Sequence, residues 1–205
     1  MVEPHDSRPD DGDDQSTPPL PPGQRWVERL RPNHYGRVPR IDLEAWTLTV
    51  GGDTVDGSQT IVRWADLEQF PQITFRADHH CVDKRSVAGV EWGGIPCAAL
   101  LDLAAPAPDA QHVLAYAAYG YSSSVTVADL RSPQAILATH VNGHELRPED
   151  GWPLRLVIPH LYGWKGPKWL MTLEYSRVPR RGFWEERGYH LTGDVWRQER
   201  YAHDE

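Results

Sequence analysis

The stretch from Asp78 to Val87, DHHCVDKRSV, gathers several side chains able to do chemistry. Two histidines directly precede a cysteine, and Asp83, Lys84 and Arg85 follow it. If the stretch is a strand, successive side chains alternate faces, so His79 and Cys81 share a face that His80 opposes. A zinc site would need further ligands from afar, such as His140, His144 or His160. A nucleophilic cysteine would need a base held nearby by the fold. A buried strand-end cysteine beside a structural histidine is the plainer alternative. Lys84 and Arg85 should lower the thiol pKa and favour the thiolate, the form that ligates metals. The only other cysteine, Cys97, opens a helix beside Ala98 and Ala99 and reads as core.

A second stretch, GWPLRLVIPHLYGWKGPKW (Gly151 to Trp169), places Arg155 inside an apolar strand. A buried arginine requires a partner, and an anionic ligand is one. Further on, Gly163 and Gly166 let backbone amides approach a ligand, and Lys165 or Lys168 could hold a phosphate. A solvated basic loop is the commoner use of such a composition. The turn-rich RPNHYGRVP (Arg31 to Pro39) offers hydrogen-bonding side chains. The aromatics Phe183, Trp184, Tyr189, Trp196 and Tyr201 are expected to clamp the C-terminal segment onto the domain.

The elements that must position these groups are short. AWTLTVGG, QTIVRW, QITFRADHH, HVLAYAAYG, SSVTV, AILATHV, LRLVIPH and WLMTLEY read as strands, with a hairpin turn at Asn142–Gly143. WADLEQFP reads as one or two helical turns, and PCAALLDLAA as a helix opened by Pro96. The pattern predicts one α+β, mainly-β domain, as 205 residues with 40% apolar content allow.

The first 26 residues hold six acidic and two basic residues, and six prolines lie before Arg25. Residues 1–25 are therefore expected to be a disordered acidic, proline-rich tail on a domain spanning 26–205. The net charge of −8 argues against a nucleic-acid partner, although Arg155 to Tyr201 carries nine Lys/Arg against five Asp/Glu. No apolar run reaches 18 residues and no export signal is visible, so a cytoplasmic protein with no membrane span is expected.

In order along the chain, Asn-His, a lone Cys in HCV, Asn-Gly, PLRLV-x-P, WK-x-x-KW and GFWE-x-x-GYH-x-x-GD-x-W resemble the molybdopterin-binding domain of the sulfite oxidase family. The likeness is closest to its short, single-domain bacterial members and runs from about Trp26 to Tyr201. It implies an oxidoreductase carrying molybdenum on a pyranopterin dithiolene, with Cys81 as the protein's metal ligand and His80 in the shell around the thiolate. Asn33, His34 and Tyr35 match the pterin-contacting segment, and Arg155 matches a cofactor-binding arginine. Gly163, Trp164 and Lys165 match the loop at the cofactor's phosphate end, with Lys168 beside it. Tyr119 or Tyr121 matches the substrate-side tyrosine, and Arg85, with a one-residue shift, the anion pocket.

There are departures from the family pattern. Pro32 stands where sulfite oxidases carry an arginine, and Ala117 stands where one branch has a threonine. Asp150 replaces a neutral polar residue, so its carboxylate must be hydrogen-bonded or turned outward. The implied function is transfer of an oxygen atom to or from a small sulfur or nitrogen oxo substrate, with a separate electron-transfer partner. Two alternatives remain: a non-catalytic cofactor-binding module, and a zinc-dependent hydrolase built on His79 and Cys81.

Overall fold

A computed structural model describes residues 19–204. The expected tail therefore lies, over residues 1–18, outside the described residues. Just after it, Arg200 Nη2 donates to Pro22 O at 3.3 Å and Gln24 Nε2 donates to Cys81 O at 3.1 Å. Contacts to the domain thus begin a few residues before Trp26.

The strands run in chain order as β1 (Arg25–Trp26), β2 (Thr47–Gly52), β3 (Thr60–Arg63), β4 (Ile73–Cys81), β5 (Arg85–Pro96), β6 (His112–Ala117), β7 (Ser122–Thr126), β8 (Ile136–Val141), β9 (His144–Glu145), β10 (Arg155–Val157) and β11 (Leu170–Ser176). Two short α-helices, α1 (Cys97–Leu103) and α2 (Val127–Leu130), and several 3₁₀ turns complete a mainly-β architecture, as the sequence pattern predicts. One sheet has the order β3-β2-β11-β6-β7. The other has the order β1-β5-β8-β10, with β4 also on β5 and β9 on β8.

The main core joins both sheets and α1 through Leu48, Ile95, Leu101, Val113, Leu137 and Leu173. A smaller cluster of Val90, Trp92, Ile136, Ala138, Leu146 and Val157 covers the opposite face of the second sheet. Period-two alternation produces this directly: Leu137 and Leu156 enter one core, and their neighbours Ile136 and Val157 enter the other.

The longest strand, β5, does not stand out in the sequence, because Gly89, Gly93 and Gly94 interrupt its apolar pattern. The glycines have a use. Trp92 lies in the smaller core and Ile95, three residues on, in the main core, as alternation requires, while the register shift between Gly93 and Gly94 places the extra residue, Thr139, in the facing strand β8. At Gly94 φ is +155°, and a Cβ there would lie 2.2 Å from Leu137 O. The Asn142–Gly143 turn closes β8 and β9 with φ of +50° and +76°, the left-handed pair that a tight hairpin requires. Among the described residues, no helix is long and apolar enough to cross a membrane.

This frame carries Cys81 to the end of β4, opposite Arg85 at the start of β5. It also brings β10 and the following 3₁₀ turn, Gly163–Lys165, alongside. Gly94→Ala should destabilise the fold by roughly 2–4 kcal/mol through backbone overlap and strain. Urea unfolding of the two proteins checks it, and an unchanged midpoint would contradict the assigned bulge.

Candidate functional site

Cys81 is half-buried at the strand end, and its carbonyl is held by Gln24 Nε2 and the Lys84 amide. Burial pushes its thiol up to about 11, and the neighbouring Asp83 carboxylate adds to the rise. This reverses the expectation that Lys84 and Arg85 would lower it. The Arg85 guanidinium is committed to Asp83, donating from Nε at 2.8 Å and again from Nη2, so little of its field reaches the sulfur. A thiol in such a place loses its proton to a metal rather than to solvent.

His80 points away from that group. It is buried, its Nδ1 lies 2.8 Å from Ser86 Oγ, and its ring faces Trp26. It therefore ties β4 to β5 beside β1, apart from the shell around the thiol where the resemblance puts it.

His79 lies on the face of Cys81, as strand alternation requires. Its imidazole rests on Gly163, where a Cβ would stand 2.7 Å from Cε1, so only glycine permits the approach. His79 lines a crevice with Arg155, Tyr162, Gly163 and Gly166. The open space is about 10 Å³, so the crevice admits one polar atom of a ligand and not its whole body. Arg155 is 6% exposed, donates to Asp150 O at 3.0 Å and lies 5.2 Å from the Trp92 ring centroid. Its Nε is sealed without a hydrogen-bond partner among the described residues. Lys168 donates to Glu149 O at 2.7 Å. The Asp150 carboxylate turns outward to Arg147, 2.6 Å away, which resolves how an aspartate is tolerated there.

The electrostatics agree with this geometry. Burial, then Arg155, lowers His79 to about 3, and burial lowers Arg155 itself to about 10. Lys168 falls to about 7 through burial and the repulsion of Arg155. His79 and Arg155 line the crevice with Lys168 close enough to repel both, and among the described residues no carboxylate hydrogen-bonds to any of the three. A site of this kind accepts an anion or an electron-rich oxygen. Cys81, two residues from His79 on the same strand face, adds a soft sulfur donor, and the set fits the phosphorylated, metal-carrying cofactor that the sequence resemblance implies.

Lys165 departs from expectation. It is fully buried, and its ammonium donates to Glu185 Oε1 at 2.8 Å and to Leu191 O at 2.5 Å. It serves an internal ion pair instead of facing a ligand. Trp164, next to it, packs on Tyr189 at 5.2 Å, and its carbonyl accepts from the Tyr121 hydroxyl. Tyr121 faces inward, and burial pushes its hydroxyl pKa well up. Tyr119 is 62% exposed with φ of +63°. Of the two tyrosines, Tyr121 reaches the loop beside the crevice.

Asn33 and Tyr35 are exposed. The His34 ring meets Trp169 edge-on at 5.3 Å, and Tyr35 packs on Phe183 at 4.3 Å. Sequence reasoning did not anticipate that Trp92 would underlie Arg155 or that Glu185 would neutralise Lys165. Neither pairing has a local signal, since each is made across the fold. Among the described residues, no group of three His, Cys, Asp or Glu side chains could hold a metal ion. His160 bonds Asp129 at 2.9 Å and His140 lies 2.8 Å from Thr139 Oγ1, so neither joins His79 and Cys81. A larger cavity, about 80 Å³, is lined by His112, Ser124, Thr126, Asp129 and Thr192, none of them an expected site residue.

Residues 35–184 match the family model of the oxidoreductase molybdopterin binding domain. A relative from Bacillus subtilis (strain 168), named uncharacterized oxidoreductase YuiH, is 34% identical over 186 residues, covering 90% of this chain and 93% of its own. A sulfite oxidase from Arabidopsis thaliana is 22% identical over 201 residues, covering 80% of this chain but 51% of its own. Among solved structures, the sulfane dehydrogenase SoxCD from Paracoccus pantotrophus superposes with a TM-score of 0.63 at 22% identity. It covers 69% of this chain and 40% of that one, a likeness of fold alone.

Two predictions follow from this geometry. Removing one partner of the buried Lys165–Glu185 pair, as in Lys165→Met, should cost about 3–5 kcal/mol, and Lys165→Met with Glu185→Leu should cost much less. Denaturant unfolding of the three chains checks the difference. The lowered Lys168 pKa means that the unfolded chain binds the proton more tightly. Its penalty is therefore full below about pH 7 and fades as pH rises toward the ordinary lysine value. Lys168→Met should gain most over wild type at pH 6 and least near pH 10, read by urea midpoints.

Proposed function

Because the chain belongs to the oxidoreductase molybdopterin-binding domain family, we propose that it transfers an oxygen atom to or from a small sulfur or nitrogen oxo substrate. The observation that carries this reading is Cys81 at a strand end, on the face of His79, near a desolvated cationic crevice whose Arg155 Nε has no hydrogen-bond partner among the described residues. Bound molybdopterin would supply the two-electron redox chemistry and the exchangeable oxygen.

In this reading the chain's own groups bind and orient. The Cys81 sulfur, as thiolate, is the metal ligand. Arg155 and Lys168 hold the cofactor's anionic oxygens, and each would regain on binding part of the solvation lost to burial. Gly163 and Trp164 shape the wall around His79, and Asn33, His34 and Tyr35 close over the organic part. Lys165 fixes the loop from behind through Glu185. Tyr121 orients the substrate oxygen, and Arg85, paired with Asp83, steadies the turn after Cys81 instead of taking the oxyanion role the resemblance gives it. Removing one oxygen from the substrate consumes two electrons and two protons and releases water, and the reverse returns them. A separate carrier exchanges those electrons.

The test is elemental analysis of wild type and Cys81→Ser from a host that makes the cofactor, followed by turnover with artificial donors and acceptors. Molybdenum near one equivalent in wild type, with an altered metal spectrum in the variant, is expected. Metal without turnover on any sulfoxide, sulfite, N-oxide or nitrate would point to a binding module. Zinc in place of molybdenum would overturn the reading.

A further inference from the structure

The segment joining β1 to β2 is long, lacks strands and carries an unusual charge. Residues 27–46 hold four arginines against Glu28, Asp42 and Glu44, but the stretch from Arg29 to Arg40 holds all four arginines and no acid, in a chain whose net charge is −8. Arg29, Arg31, Arg37 and Arg40 are all exposed. Among the described residues, none of the four has a carboxylate within ion-pair distance. Several other exposed arginines are paired, Arg76 with Glu91, Arg147 with Glu149 and Asp150, and Arg177 with Asp53 and Asp109, while Arg63 and Arg131 stand singly and without a carboxylate in ion-pair distance among the described residues. Without a carboxylate among the described residues, the four repel one another, a cost that a partner's carboxylates would relieve.

The segment is also placed over the candidate site. His34 meets Trp169, the neighbour of Lys168, and Tyr35 lies on Phe183. Phe183 in turn stacks with Tyr121 at 5.8 Å, and Arg187 lies over its ring at 3.7 Å. Ala118, next to Tyr119, donates its amide to Trp169 O. Tyr35, Val38 and Tyr119 are among the few large apolar side chains left exposed, at 50%, 36% and 62%. Tyr35, exposed and packed on Phe183, sits in sequence between Arg31 and Arg37, and an apolar contact flanked by cations suits a transient protein interface in which charge sets the encounter rate.

We propose that the Arg29–Arg40 segment is the docking surface for an acidic electron-carrier protein, which exchanges its electrons at the site the segment covers. This rests on the redox function proposed above and names its partner. The chain's own acidic N-terminus, with six Asp or Glu and one Arg before Pro19, is the competing occupant.

The test uses the full chain and two probes, an acidic flavodoxin and a basic c-type cytochrome. Binding is measured by calorimetry at about 0.02 M and about 0.3 M salt, a range over which exposed charges become screened. The flavodoxin should bind at low salt and be lost at high salt, and the cytochrome should not bind. Combined Arg29→Glu, Arg31→Glu, Arg37→Glu and Arg40→Glu should weaken flavodoxin association by roughly tenfold to a hundredfold. Arg63→Glu with Arg131→Glu, on other exposed surfaces, should not. Unchanged urea midpoints would show that each variant is folded.

Salt-independent binding, or equal loss in the control variant, overturns the proposal. So does flavodoxin binding that emerges only when Asp10, Asp11, Asp13 and Asp14 are changed to Asn, because the tail then occupies the surface. Molybdenum content of the same preparations separates the two readings. A loaded chain that ignores flavodoxin overturns the docking surface alone. Salt-sensitive, arginine-dependent binding by a chain that takes no molybdenum supports the surface and overturns the cofactor assignment.

Discussion

A lysine ammonium with no solvent exposure must be paired, and much of the site is organised around how Lys165 is paired. Glu185 Oε1 takes the ammonium and at the same time accepts the Ser124 amide at 2.8 Å. Leu191 O takes a second donor. One buried charge thus joins the 3₁₀ turn Gly163–Lys165, strand β7 and the C-terminal segment. The close approaches around it require missing side chains. A Cβ on Gly182 would fall 2.6 Å from Ser122 O, and one on Gly193 would fall 3.1 Å from Lys165 Cδ. With these segments locked, Trp164 O is held where the Tyr121 hydroxyl reaches it and Gly163 where His79 rests on it.

That arrangement divides the basic residues of the C-terminal third into two kinds. Lys165 has its counter-charge inside the fold and adds rigidity. Arg155 lines the crevice and Lys168 lies near it, and among the described residues the two hydrogen-bond to carbonyls and to no carboxylate, with an indole face beneath Arg155. A protein holds charges in this state at a cost in stability, and such cost concentrates where a ligand will later offset it. The Asp150 carboxylate illustrates the same economy of charge. It pairs with Arg147 at the surface and leaves only its carbonyl to Arg155, so the crevice stays positive.

The sheet that carries Cys81 depends on a different constraint. Strand β5 must line two cores in succession, and alternation switches its face between Trp92 and Ile95 while the register shift at Gly93–Gly94 takes up an extra residue, Thr139, in β8. Before the switch, Trp92 supports Arg155; after it, Ile95 belongs to the main core. The outset of the same strand holds Arg85 opposite Cys81 and Ser86 opposite His80. Site and core are therefore registered by one strand, and a fault at the bulge would be felt at both.

Much was legible in the amino-acid order alone. Periodicity located most strands, Asn142–Gly143 marked its hairpin, and the ordered motifs around Cys81, Arg155 and the Gly163–Lys168 loop pointed to the family and its cofactor. These are local features: alternation, turn chemistry, and residue types at short spacing. What tertiary structure decided was which charge meets which. Arg85 and Lys165 look like ligand-binding cations in sequence, yet Asp83 pairs with the first and Glu185 with the second. His80 looks like a neighbour of the thiol, yet it turns to Ser86, while His79 enters the crevice. The cysteine that adjacent cations should have ionised is instead held protonated by burial. Pairing and desolvation depend on segments brought together from opposite ends of the chain, and no local spacing encodes them.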